Sequence, residues 1–372
     1  MRILQVLGSS AGGVARHVAQ VTSALSEPGS GAASDTVHVA GPPELAGVVA
    51  PPDGRAVFHS TPIADRPRAA DIQAVRRLRV LSAGADVVHA HGLRAGALAV
   101  LAVQSLPSRS RPRVVVTLHN LPVGGRAIRG VSAVLERVVA RGADVVLGVS
   151  GDLVARARAR GARHAQRALV PAPSRPEPSQ DRAAVRGGLG LTADGLLVVT
   201  VARLAPQKGL GLLADAAARV TPAPGQELLW AVAGDGPLRG ELQARIDAEG
   251  LPVRLLGRRD DVADLMAAAD VVASTAVWEG QPIAVQEALQ LGAPLVATDA
   301  GGTREVTGDA AVLVPVADAD AFARALTGVL DDPSRRTSLA AASRERAAGL
   351  PSVSDVVAQL RAAYNGQPSP RG

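Results

Sequence analysis

ADVVASTAVWEGQPIAVQEALQLGAPLVAT, residues 269–298, spells out a strand, a loop, a helix and a second strand in thirty positions. ADVVAS and APLVAT are continuous small-apolar runs, which suit parallel strands covered on both faces. Gly280 and Pro282 set the helix start near residue 282, because the missing N–H of proline costs nothing in a first turn. Glu279 therefore precedes the helix, and Glu287 lies about 7 Å further along at roughly 1.5 Å per residue. Carboxylates so placed do not match the pair about 5 Å apart that a retaining glycoside hydrolase needs. They suit the two ends of one elongated ligand, with the N–H groups and positive dipole end of residues 282–286 offered to a phosphate between them. A capping arrangement with an exposed Glu287 is the competing reading. It leaves Arg203, Lys208 and the Gly301–Gly302 pair without a shared purpose.

The same alternation runs in both directions from this unit. Towards the N-terminus stand ILQVL with a helix over 13–25, ADVVHAH with LRAGALAVLAVQ, RVVVTLH with a helix near 128–140, and ADVVLGVS with an arginine-rich helix from Asp152. VPAPSRPEPSQ, residues 170–180, sustains neither ladder nor helix and reads as a linker. The alternation then restarts with LLVVTVA, LLWAVAG and VRLLG. Two doubly wound α/β domains follow. The expected boundaries are 1–172, a linker over 173–190, a second domain over 191–350, and a C-terminal helix with a frayed tail over 351–372 that packs back toward the first domain. The stretch 319–364 is helical by period, broken at Pro333 and Pro351. Residues 41–70 match no pattern and are assigned to the acceptor side.

The chain of 372 residues has no cysteine, which excludes disulfides and thiol chemistry and fits a reducing, cytoplasmic setting. The apolar run of MRILQVLG is too short for a signal peptide. Five aromatic side chains in all argue against a base-stacking platform, so nucleic acid is not an expected partner. Residues 1–175 carry 22 arginines against 10 carboxylates, whereas the remainder carries 18 cations against 24 carboxylates. The basic half suits an anionic surface, with Arg76, Arg77 and Arg79 as one cluster and Arg156, Arg160 and Arg163, sharing a helix face by spacing, as another.

Ligands of open parallel sheets bind beyond the carboxyl ends of the strands. GSSAGGV, residues 8–14, follows the first strand and opens a helix, although it matches neither G-x-G-x-x-G nor a P-loop. RLAPQKG, residues 203–209, sets Arg203 and Lys208 at the ends of one loop, a spacing for a diphosphate. Lys208 is the only lysine in the chain, as if this position wants a compact point charge and not a planar fork. His89 and His91 form an H-x-H on one strand face, open to a metal, to packing or to acceptor contact. GVSGD, residues 148–152, fails as a nucleophile elbow because Asp152 stands where glycine is required. ADADA, residues 317–321, reads as the start of a surface helix and not as a metal-binding loop.

GSSAGGVARHV, VTLHN, VARLAPQKGL, AGDGPL, LLGRRDDV and WEGQPIAVQEALQLGAPLVATDAGGTREV together resemble retaining glycosyltransferases of family 4, across nearly the whole chain. The resemblance implies the GT-B architecture, two Rossmann-like domains facing across a cleft, and a nucleotide-diphosphate-sugar donor held by the second. It implies that Arg203 and Lys208 bind the diphosphate, Glu287 the ribose, and Glu279 the donor sugar. Gly280, Gln281, Pro282, Ile283, Ala284 and Val285 complete the phosphate cradle by backbone. Gly12 and Gly13 close on the sugar phosphate, His119 contacts the donor sugar near the reaction centre, and Arg258 neighbours the base. Neither metal nor cofactor is implied. The acceptor, whether lipid, glycan or small molecule, is not specified. VPAPSRP departs from the family's V-P-N-G-V-D, which puts the local linker geometry in doubt. A sugar-nucleotide epimerase and a non-catalytic nucleotide-sugar binder remain the alternatives.

Overall fold

The computed structural model describes residues 1–9, 13–27, 35–50, 55–64, 68–121, 125–171, 177–223 and 225–367. Chain contacts divide it into two compact units, Met1–Pro171 with Pro351–Gly372, and Ala172–Leu350.

The first unit holds β1 (Arg2–Leu7), β2 (Thr36–Gly41), β3 (Ala56–Ser60), β4 (Val87–His91), β5 (Arg113–Leu118), β6 (Val145–Gly148) and β7 (Ala165–Arg167). They form one sheet in the order β3-β2-β1-β4-β5-β6-β7, parallel at every pairing. The order reverses between β1 and β4, the switch point at which such sheets open a crevice. Part of the unassigned stretch 41–70 is therefore edge strand β3, preceded by a helical turn over Pro43–Val49. The polar, half-exposed AVFHS lacks the continuous apolar run by which the inner strands are legible.

The last helix, Val353–Asn365, belongs to this unit and starts at a capping box formed by Ser352 and Asp355. Its buried face is pinned by polar contacts: the Gln359 amide receives the Leu169 N–H and donates to the Arg167 carbonyl, both at 2.8 Å. Arg113 Nε donates to the Ala363 carbonyl at 2.7 Å.

The second unit holds β8 (Leu196–Val201), β9 (Leu228–Ala233), β10 (Val253–Gly257), β11 (Val271–Ser274), β12 (Leu295–Thr298) and β13 (Val312–Val314). Their order is β10-β9-β8-β11-β12-β13, again all parallel, with the switch point between β8 and β11. Apolar clusters cover both faces of the sheet, which is why its strands read as unbroken Val/Leu/Ala runs. Trp230 is fully buried, stacked on Phe322, and its indole N–H donates to Thr200 Oγ1 at 2.9 Å.

One correction concerns the expected linker over 173–190. Arg182–Gly188 is a helix capped by Asp181. Arg182 and Arg186 both pair with Asp270, which also accepts the Leu197 N–H at 2.7 Å. The carboxylate ties the helix to the start of β8, a long-range anchor that local composition does not reveal. At the other boundary, helices Ala319–Leu330, Pro333–Ala348 and Val353–Asn365 break at the two prolines marked in the sequence.

Candidate active site

At the carboxyl ends of β8 and β11 lies a recess. Thr200, Ala202 and Lys208 line one side, Ser274, Thr275 and Glu279 the other, and Pro282–Val285 close it. Lys208 ends a 3-10 turn, Pro206–Lys208, and the next residue, Gly209, has φ 62°. A Cβ there would stand 2.0 Å from the Thr275 carbonyl oxygen, so only glycine lets the lysine loop lie against the loop after β11. Two hydrogen bonds lock that approach: Thr275 Oγ1 to the Lys208 carbonyl at 3.0 Å, and the Val277 N–H to the Gln207 carbonyl at 2.9 Å. Lys208 Nζ then meets the Glu279 carboxylate in a partly buried ion pair.

Glu279 is held from behind. Its carbonyl accepts the Gly302 N–H at 2.8 Å, and Gly301, at φ 56°, passes so close that a Cβ would lie 2.1 Å from that oxygen. The helix Ile283–Gln290 starts after Pro282, aiming the N–H groups of its first turn at the recess. Glu287 is buried at 1 % exposure on the second turn. The competing reading of an exposed Glu287 is overturned: the helix turns this carboxylate inward, next to the likewise buried Gln286, whose Nε2 donates to Gln281 Oε1 at 2.7 Å.

Of the residues singled out in this half, Lys208, Glu279, Pro282, Ile283, Ala284 and Val285 come together around one space. Gly280 is buried and Gln281 half-buried beside them. Arg203 and Arg258 are exposed, and neither makes an ion pair among the described residues. Lys208 lines the recess and Arg203 does not.

The first unit has its own recess at its switch point, lined by Gly8 and Ser9 after β1, His91 at the end of β4 and Gly92 after it, and His119 and Asn120 after β5. Gly13 begins the helix Gly13–Ser26. Gly12 lies outside the described residues. Behind His119 the alternation of β4 puts His89 and His91 on one face. His91 bonds Gln5 Oε1 at 2.7 Å through Nε2 and His119 Nε2 at 3.3 Å through Nδ1. His89 bridges Tyr364 Oη and Thr117 Oγ1, each at 2.8 Å. His17 packs edge-on against both His91 and His119. Burial lowers the pKa of His17 to about 4 and of His89 to about 3. Burial first, then neighbouring rings, hold His91 and His119 well below the ordinary imidazole value. The four rings are therefore neutral at pH 7. Among the described residues no group of three or more His, Cys, Asp or Glu is arranged to hold a metal ion; the H-x-H stands in a hydrogen-bonded chain, with His91 also lining the recess.

The family description "Glycosyl transferases group 1" matches residues 181–346, and "Glycosyl transferase 4-like domain" matches residues 12–173. The chain belongs to the group 1, family 4 glycosyltransferases. The chain is 32% identical to a GDP-mannose-dependent monoacylated alpha-(1-6)-phosphatidylinositol monomannoside mannosyltransferase of Corynebacterium glutamicum, over 45% of this chain and 47% of the relative. It is 29% identical to D-inositol 3-phosphate glycosyltransferase 1 of Catenulispora acidiphila, over 96% and 91%. The chain spans about half or less of the length of several curated relatives that it matches above 30% identity. The crystal structure of Anabaena HepE in complex with UDP superposes with a TM-score of 0.80 at 21% identity, covering 98% of this chain and all of that one. That likeness concerns the fold, which is of the GT-B class.

Three residues that support these recesses escape a reading of the sequence. Thr275 positions Lys208, and buried Gln286 holds Gln281. Gln5 is the third, and it alone carried a signal, as the polar interruption of the apolar strand RILQVL.

Proposed function

We propose that this chain transfers a sugar from a nucleoside-diphosphate sugar to a hydroxyl acceptor, with retention at the anomeric carbon. The observation that carries this reading is the convergence of Lys208, Glu279 and a helix N-terminus on one recess at the switch point of the second unit. Lys208 takes the diphosphate as a point charge, and the N–H groups of Ile283 and Ala284 receive its oxygens, that of Val285 being bonded to the Pro282 carbonyl. As the diphosphate draws Lys208 away, Glu279 becomes available to the sugar hydroxyls. Glu287 serves the ribose, Arg203 adds charge to the diphosphate from the loop rim, and Arg258 borders the base. For His119, Gly12 and Gly13 the assigned contacts are the donor sugar and its phosphate.

The C1–oxygen bond to the diphosphate breaks while a bond from C1 to the acceptor oxygen forms on the same face. The acceptor's proton passes to a diphosphate oxygen. Fixed charge and dipoles directed at the leaving group then supply much of the rate, in a reaction written without metal or cofactor. The donor base is uracil or guanine, in line with the UDP and GDP-mannose named for a structural neighbour and a relative. The acceptor carries a free hydroxyl on a lipid, glycan or small molecule. The setting is cytoplasmic, with peripheral contact to an anionic membrane. No helix of the described residues is long and apolar enough to cross one.

Incubation with UDP- and GDP-sugars and a hydroxyl acceptor panel tests the reading. Release of nucleoside diphosphate with a glycoside of the donor's own anomeric configuration, undiminished by a chelator, is expected. An epimerised nucleotide sugar or an inverted product overturns it.

A further inference from the structure

Eleven large apolar side chains are exposed among the described residues, and six of them stand on three consecutive helices, Asp71–Ser82, Leu93–Gln104 and Arg126–Gly142. These helices pack side by side in the first unit. On the first, Ile72, Arg76 and Val80 follow at four-residue intervals, one stripe pointing outward, with Val80 73 % exposed. On the third, Ile128, Val131 and Val134 are 45–59 % exposed, beside Arg126, Arg129, Arg137 and Arg141. Leu101 supplies the apolar contact from the helix between them.

The charge on this layer has one sign. None of the arginines on its two outer helices is ion-paired among the described residues. The three helices hold two carboxylates, and both are spent: Asp71 on Arg94, and the buried Glu136 on Arg156 and Arg160. That pairing also weakens the second cluster read from the sequence. Arg156 and Arg160 share the one carboxylate of Glu136, which offsets one of their two charges, and Arg163 lies beyond the helix, which ends at Ala159.

We propose that this three-helix layer is the face by which the chain docks on an anionic lipid bilayer, its apolar side chains entering the headgroup boundary and its arginines meeting lipid phosphates. Apolar residues interleaved with arginine on helices lying in one plane are what an interfacial contact requires. A second copy of the chain would present the same positive face to its twin, and like charges oppose that pairing. The inference deepens the peripheral contact proposed above, on which it rests, and it is independent of sugar transfer. A chain that binds vesicles and transfers nothing leaves it standing.

The test is co-sedimentation of the full chain with vesicles of phosphatidylcholine alone, and of phosphatidylcholine with about one third phosphatidylglycerol. Binding to the anionic vesicles only, weakening as salt rises, is expected. At about 1 kcal/mol for each arginine near the surface, roughly fivefold, Arg76→Gln/Arg77→Gln/Arg129→Gln weakens binding by about a hundredfold. Ile128→Ser/Val131→Ser/Val134→Ser lowers it as well, while both variants keep the wild-type melting temperature and its rise with UDP or GDP. Binding indifferent to phosphatidylglycerol, binding unchanged in both variants, or no binding to any vesicle overturns the proposal. So does a wild-type dimer in solution that the serine variant converts to monomer, since a second copy then covers the face.

Discussion

Lys208 Nζ and the Glu279 carboxylate meet across 71 positions of chain. The proposed chemistry needs that lysine as a compact charge. Lys208→Ala is therefore expected to lower kcat by about a hundredfold or more, the scale of losing one aimed electrostatic group, with a smaller loss of thermal stability because Glu279, its side chain 12 % exposed, is left without its charge partner. Steady-state kinetics alongside thermal melting check both halves. An arginine at this position is expected to restore little, since a planar fork does not reproduce the point charge. The lysine was legible in the sequence as the chain's single instance of its type. Its pairing with Glu279 was not, because that contact depends on how the loops after β8 and β11 come together. Burial of Glu287 was equally hidden, since the same helix start allows the carboxylate to face inward or outward until the packing of helix on sheet is known.

Elements carry the site through two glycines. Gly209 and Gly301 each hold a left-handed backbone pressed against a carbonyl of the neighbouring loop. Gly301→Ala is expected to destabilise the chain by about 2 kcal/mol or more through strain and the forced retreat of the Glu279 carbonyl. Donor affinity should fall with it, and chemical denaturation together with calorimetry reads the two effects. The buried anchor of the second unit is more demanding. Asp270→Asn leaves Arg186, itself 8 % exposed, without its charge partner, at an expected cost of about 3 kcal/mol in denaturant unfolding. Most elements buried on both faces were legible: β1, β4, β5 and β6 of the first sheet and β8, β9, β11 and β12 of the second follow the apolar runs. Strands β2 and β3 and helix Arg182–Gly188 were not, because Thr36 and His38 interrupt the run of β2, the edge strand has half-exposed polar residues, and a short arginine-rich helix owes its place to Asp270.

At the scale of the whole molecule, buried imidazoles couple stability to pH. The folded pKa of His17 is about 4 and that of His89 about 3, both depressed by burial from 6.5. Between those values and 6.5 the unfolded chain binds more protons than the folded one, so stability is complete above 6.5 and falls as pH drops. Each ring contributes a limiting slope of about 1.4 kcal/mol per pH unit. Thermal melts are expected to show a steep loss below pH 6.5, shallower in a His17→Gln variant; a flat profile down to about pH 5 would contradict the burial of these rings. The two-sheet organisation was readable from the restart of alternation after the proline-rich stretch. The imidazole cluster was only half readable, as an H-x-H without its partners Gln5, Thr117 and Tyr364, because those reach it from two other strands and the last helix.

The central claim is that the second unit grips a diphosphate through Lys208 and the helix start at Pro282–Val285. Titration calorimetry of UDP and GDP into the wild-type chain and into Lys208→Ala tests it most directly. Loss of a charged hydrogen bond predicts binding about tenfold or more weaker in the variant, and equal affinity in the two proteins would contradict it.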